Sequence, residues 1–154
     1  MNPLRRTILK TGTVAWAVLA VSGWLRPLQA WAAEWNKPAF ESQGLAEALR
    51  ALGAGGAAET KEVEIRAQEI AENGASVPVE IVSRLPGTDS IAILVDKNPT
   101  ALAAIFQLSP DLDARISTRI KMGETSNVNA LVRAQGKYHI ARKEIKITLG
   151  GCGG

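Results

Sequence analysis

The sequence is short of cysteine, histidine and aromatic residues: its 154 positions hold one Cys, one His, and 5% Phe, Trp and Tyr combined. A lone cysteine cannot close an internal disulfide, and zinc, which takes three or four ligands, finds no such set here. His139 falls in a segment that reads as a strand, where it is a structural or surface residue. No Ser/His/Asp set, no paired carboxylates with a pocket signature and no glycine-rich phosphate loop accompany it. Asp111 and Asp113, beside Pro110, read as turn residues. Beyond residue 33 the aromatics Trp35, Phe40, Phe106 and Tyr138 are too scattered to form a stacking platform. The residues therefore predict no catalytic group, no metal site and no cofactor.

Excess charge is missing too, once the N-terminal segment is set apart. That segment begins with a twin-arginine pattern, Arg5-Arg6-Thr7-Ile8-Leu9-Lys10, continues through a mostly apolar run over Thr13–Leu25, and reaches the small-x-small sequence Ala30-Trp31-Ala32. Gly12, Ser22 and Gly23 break the apolar run, which is shorter than the roughly 20 residues needed to cross a bilayer. It reads as a cleaved twin-arginine signal over residues 1–32, which predicts export to the periplasm and no stable membrane association. Of 18 basic residues, Arg5, Arg6, Lys10 and Arg26 go with it, leaving 14 against 15 acidic residues, so the formal charge moves from +3 to −1. No basic block remains to recruit a nucleic acid.

What is present sits at the other end: Gly150-Gly151-Cys152-Gly153-Gly154. Glycine carries no Cβ and loses the most backbone freedom on ordering, so four of them around one thiol predict a flexible arm with an unobstructed sulfur. Five extended residues reach roughly 16 Å. In an oxidising compartment a thiol without an internal partner is a reactive group or a point of intermolecular pairing.

Between these ends the pattern is of period two. Phe40–Leu52 alone has a helical stripe, Phe40, Leu45, Ala48, Leu49 and Leu52, closed by Gly53, Gly55 and Gly56. Strands follow at Val63/Ile65/Ala67, at Val77/Val79/Ile81 after the Ile70–Gly74 turn, and at Ile91/Ile93/Val95, where Ala92 and Leu94 are also apolar and predict cover on both faces. Asp96-Lys97-Asn98-Pro99 closes that strand, and Phe106 and Leu108 form a short one. Ile116, Thr118, Ile120 and Met122 then alternate with Arg115, Ser117, Arg119 and Lys121, giving one dry face and one positive face. Arg115, Arg119 and Lys121 could serve as a solvated face, or could dock an acidic partner or attract a small anion. Val128/Ala130/Val132, a hairpin at Gly136-Lys137, and Ile145/Ile147/Leu149 complete the pattern. About seven or eight short strands and one helix predict an all-β, immunoglobulin-like sandwich over residues 33–149, with residues 150–154 as the arm.

The terminal pentapeptide after a Val/Ile-rich strand, the twin-arginine signal, Ala71-Glu72-Asn73-Gly74 leading to Val77-Pro78-Val79, Lys97-Asn98-Pro99, and Thr118-Arg119-Ile120-Lys121-Met122 together resemble the SoxY family, sulfur carriers of periplasmic thiosulfate oxidation. The resemblance implies that Cys152 is the covalent attachment point for sulfur and that Gly150, Gly151, Gly153 and Gly154 form a swinging arm. It further implies a heterodimer with a SoxZ-like subunit and transient docking to a haem-containing SoxXA-like enzyme that attaches thiosulfate. A dimanganese SoxB-like hydrolase would release sulfate, and in some organisms a SoxCD-like enzyme would oxidise the remaining sulfur. The residues alone leave open an autonomous thiol redox protein, a ubiquitin-like carrier using its terminal Gly-Gly, and a purely structural domain.

Overall fold

The computed structural model describes residues 36–109 and 111–148. The single helix expected over Phe40–Leu52 is two short ones, α1 (Lys37–Glu41) and α2 (Leu45–Ala51). The break has a local cause. Ser42 turns extended at ψ 135° with its hydroxyl donating to the Ala39 carbonyl at 2.6 Å, and Gly44 takes φ 92°, a conformation that β-carbons disfavour. The two starts differ. Asn36 Oδ1 caps α1, accepting from Ala39 N at 3.1 Å, whereas α2 starts at Gly44 without a side-chain cap and Glu47 accepts from Gln43 N, one residue earlier, at 2.8 Å. Gly53, at φ 71°, ends α2 as its position predicts.

Nine strands follow among the described residues: β1 (Ala58–Glu59), β2 (Val63–Ala67), β3 (Ile70–Ala71), β4 (Val77–Ser83), β5 (Thr88–Val95), β6 (Leu102–Gln107), β7 (Arg115–Ile120), β8 (Ser126–Ala134) and β9 (Lys137–Ile147). They form a six-stranded sheet in the order β1-β9-β8-β5-β6, with β3 also on β9, and a three-stranded sheet β2-β4-β7. All pairings are antiparallel except those of the two-residue strands β1 and β3, which run parallel to the two halves of β9. Neither two-residue strand has enough alternation to be read in sequence, and Ile70–Ala71, expected to lie in a turn, is sheet. The β8–β9 hairpin turns on Gln135 and Gly136, both at positive φ (50° and 73°), one residue earlier than the pattern suggested.

Burial follows the alternation. Val63 and Ile65, Val77, Val79 and Ile81, and Ile120 from the small sheet join Ile91, Ile93 and Val95, Val128, Ala130 and Val132, and Ile145 from the large sheet in one buried cluster. The opposite face of the large sheet carries a second: Ala92 and Leu94, Leu102, Leu131 and Ile140 pack under Ala39, Ala48 and Ala54, with Phe40, Leu45, Leu49 and Leu52 against them. The two short helices are thus the cover that the doubly apolar β5 requires. The protein is a β-rich fold of two sheets and two short N-terminal helices, layered so that the stretches Ile91–Val95 of β5 and Val128–Val132 of β8 are buried on both faces.

Ile93 and Leu94 are both fully buried but on opposite faces of β5. Ile93→Ala and Leu94→Ala should each destabilise the fold by about 2–5 kcal/mol in urea denaturation, whereas Ile70→Ala, at 55% exposed, should stay within about 0.5 kcal/mol. A Leu94→Ala cost as small as that of Ile70→Ala would show that the helices do not cover the sheet.

Candidate functional site

The last described turn of backbone is held on both sides. Lys146 N donates to the Glu69 carbonyl at 2.8 Å and Thr148 N to the Ala71 carbonyl at 3.1 Å, through the β3 pairing, while Ile147 N donates to Thr125 Oγ1 at 2.9 Å. Thr148 is therefore a fixed point. Cys152 and Gly150, Gly151, Gly153 and Gly154 lie outside the described residues.

Three turns remote in sequence meet around that point. Asp96 is clamped to β8 by Asn129 Nδ2 at 2.6 Å and Asn127 Nδ2 at 3.1 Å, which fixes the turn that follows β5. From this turn the Asn98 side chain clasps the segment after β7: its Nδ2 donates to the Lys121 carbonyl at 2.7 Å and its Oδ1 accepts from Gly123 N at 3.1 Å. Met122 N in turn donates to the Gly74 carbonyl at 2.7 Å, and a Cβ on Gly74 would collide with the Met122 carbonyl and crowd Ile147. Gly74 is needed for close backbone approach, whatever else its turn requires. The stretches Ala71–Gly74, Lys97–Pro99 and Arg119–Met122 thus form one hydrogen-bonded platform at the base of the C-terminal segment.

The three basic residues of β7 and its extension are exposed but not equivalent. On the outer face of the small sheet, Arg84 pairs with Glu64 (2.8 Å), Glu64 with Arg66 (2.9 Å), Arg66 with Glu80 (3.3 Å) and Glu80 with Arg115 (3.3 Å). Arg115 is one end of a charge ladder, so the face that looks positive along β7 is balanced by acids on β2 and β4. The Arg66 hydrogen bond, with the nearby guanidinium groups of Arg66, Arg84 and Arg115, holds the Glu64 carboxyl below its ordinary pKa. Arg119 donates to Ser76 Oγ at 3.3 Å. Neither it nor Lys121 lies within ion-pair distance of a carboxylate among the described residues. Both line an open groove of about 620 Å³ between the free edges β6 and β7, walled by Pro99, Leu102 and Ala103.

Other residues weighed in the sequence lie apart from this end. His139 is half-buried opposite Val132 on β9, while Asp111 and Asp113 sit exposed in the loop before β7. Among the described residues no group of three or more His, Cys, Asp or Glu could hold a metal ion, and no helix is long and apolar enough to cross a membrane. The turns of Asn98 and Gly74 are visible in sequence, but nothing there announces that they clasp the β7 extension.

The sequence model of the family described as sulfur oxidation protein SoxY matches residues 49–152. Among solved structures, the sulfur carrier protein SoxY from Chlorobium limicola f thiosulfatophilum is similar at 35% identity and a TM-score of 0.58, over 65% of this chain and 93% of that one. A superoxide reductase (neelaredoxin) from Ignicoccus hospitalis aligns at 15% identity and a TM-score of 0.51, over 64% and 87% of the two chains, a likeness of fold alone. No curated protein sequence matches the chain.

Gly74→Ala should cost about 1–3 kcal/mol of stability and speed hydrogen exchange at the Met122 amide; unchanged exchange would mean that the platform tolerates a Cβ there. The charge ladder predicts a pH effect of definite sign. Because the folded-state pKa of Glu64 is depressed below 4.5, its stabilisation is complete above that value and is lost as pH falls through the folded value. The melting temperature of the wild type should therefore fall more than that of Glu64→Gln as the pH is taken from above 4.5 to well below it. Parallel profiles would show that the exposed ladder contributes nothing.

Proposed function

The chain belongs to the SoxY family of sulfur oxidation proteins, whose role is that of a sulfur carrier rather than a catalyst, and from this we propose that it carries thiosulfate-derived sulfur covalently on Cys152. The observation that carries the reading is where the family match stops: it runs to residue 152, so it takes in the sole cysteine of the sequence together with the platform that anchors its strand. We read residues 1–32 as a twin-arginine signal, residues 33–149 as an immunoglobulin-like sandwich made of the two sheets that share a core, and residues 150–154 as the arm. The site of action is the periplasm, and the partners are a SoxZ-like subunit and SoxXA-like, SoxB-like and, where present, SoxCD-like enzymes.

The chemistry divides between chain and partners. Attachment joins the Cys152 sulfur to the terminal sulfur of thiosulfate, releasing one proton from the thiol and two electrons to the oxidising partner, and leaves Cys–S–S–SO3⁻. Hydrolysis then breaks the bond between sulfur and the sulfonate, so that water ends in sulfate and the persulfide stays on the protein. The chain contributes the nucleophile, a fixed base at Thr148 and glycines that let the thiol enter a narrow site. Cys152 has no cationic neighbour in sequence to favour its thiolate, so activation of the thiol falls to the partner's pocket.

Incubation with thiosulfate and the oxidising partner should raise the intact mass of the wild type by one thiosulfate-derived group, and Cys152→Ser should abolish the gain. An undiminished gain in the variant would remove Cys152 as the loading site.

A further inference from the structure

The turn between β3 and β4 carries chemistry of its own, independent of what Cys152 holds. We infer that Asn73-Gly74 is a self-modification site, at which the glycine amide displaces ammonia from the asparagine side chain, and that the isoaspartate so formed loosens the grip on the C-terminal strand.

Deamidation of this kind needs a main-chain nitrogen that can reach the preceding carboxamide. Gly74 N attacks Asn73 Cγ, the new C–N bond closes a five-membered succinimide, and the side-chain nitrogen leaves as ammonia. Water then opens the ring at either carbonyl. One opening gives aspartate; the other reroutes the main chain through the β-carbon and gives isoaspartate. The net change is ammonia out and water in, with no oxidant or reductant.

The structure singles out one asparagine for this step. Asn73 is exposed, and Gly74 N donates to no group among the described residues. Asn73 Oδ1 accepts from Ala75 N at 2.9 Å, which puts a donor on the oxygen where negative charge develops as Cγ becomes tetrahedral. The other four described asparagines are closed to it. Asn98 precedes Pro99, which has no N–H to attack with. Asn127 and Asn129 are clamped to Asp96, and the amides that follow them belong to β8, a strand paired on both sides. Asn36 is held twice, by Ala39 N at 3.1 Å and by the Ala51 carbonyl at 3.3 Å, and the side chain of Lys37 hinders approach.

Packing also preserves the labile pair. A Cβ on Gly74 would collide with the Met122 carbonyl and come within 3.2 Å of Ile147 Cγ2, so the residue that shields its neighbour least is the one the fold requires. The consequence is mechanical. The Gly74 carbonyl accepts from Met122 N at 2.7 Å, and the Ala71 carbonyl accepts from Thr148 N at 3.1 Å. Isoaspartate at residue 73 inserts one carbon, about 1.5 Å of chain, between those two holds, so both cannot stay in register. Aspartate leaves the chain length unchanged and still accepts from Ala75 N.

Purified protein held in mildly alkaline buffer should exchange one NH2 for OH, seen as a gain in intact mass. Peptide mapping with electron-transfer fragmentation should place the change at residue 73 as a mixture of aspartate and isoaspartate. Its rate should exceed that at every other asparagine and lie within about tenfold of the rate at residue 73 in the urea-unfolded chain. Asn73→Ser, which keeps a side-chain acceptor for Ala75 N, should abolish the gain while the protein stays folded. Hydrogen exchange at the Met122 and Thr148 amides should quicken in the isoaspartate fraction and stay unchanged in Asn73→Asp. No gain at residue 73, a faster gain at another asparagine, or a native rate more than about tenfold below the unfolded one would overturn the site. Unchanged exchange in the isoaspartate fraction would overturn its coupling to the C-terminal strand.

Discussion

Everything in this fold depends on the stretches Ile91–Val95 of β5 and Val128–Val132 of β8 being buried on both faces. A strand whose odd and even side chains are both apolar must be covered twice, and here Ile91, Ile93 and Val95 meet the small sheet while Ala92 and Leu94 meet the helices. Two short helices of seven residues or fewer could not persist alone in water; they exist because the sheet needs their apolar side. The same demand explains why the small sheet can be only three strands wide and still be stable, since its inner face is completed by the larger one.

That rigid middle gives the C-terminal end its meaning. The strand that leads toward Cys152 is also the one that β1, β3 and β8 all grip, and its last described amides are bonded to Ala71 and Thr125. A carrier proposed to visit several enzymes needs a firm anchor as much as a free end. The platform of Gly74, Asn98 and Met122 provides it, with the side chain of a single asparagine tying two turns together. On the outer face of the small sheet, charges of both signs alternate across β2, β4 and β7, which leaves Arg119 and Lys121 as the basic residues of β7 and its extension without an ion-pair partner among the described residues.

Much of the architecture could be read directly. Period-two alternation located β2, β4, β5, β7, β8 and β9, because a strand with one buried face must place every second residue in the core. It failed for β1 and β3, which are too short to alternate, and it merged the two helices, because an apolar stripe continues across a break that Ser42 and Gly44 impose through backbone conformation. Of the residues singled out for function, Arg115, Arg119 and Lys121 looked alike in one dimension; the ladder through Glu80 that separates them is a cross-strand effect.

The sequence by itself determined the local periodicity, the family and the uniqueness of Cys152, because each is a matter of residue type and order along the chain. Tertiary structure alone decided that the turns at Gly74, Asn98 and Met122 converge on the base of β9, that the helices roof the large sheet, and that Arg119 and Lys121 face a groove. Those facts rest on hydrogen bonds and ion pairs between segments tens of residues apart, such as Asn98 to Lys121 and Arg115 to Glu80, and no spacing along the chain encodes which partner a side chain meets once the sheets are stacked.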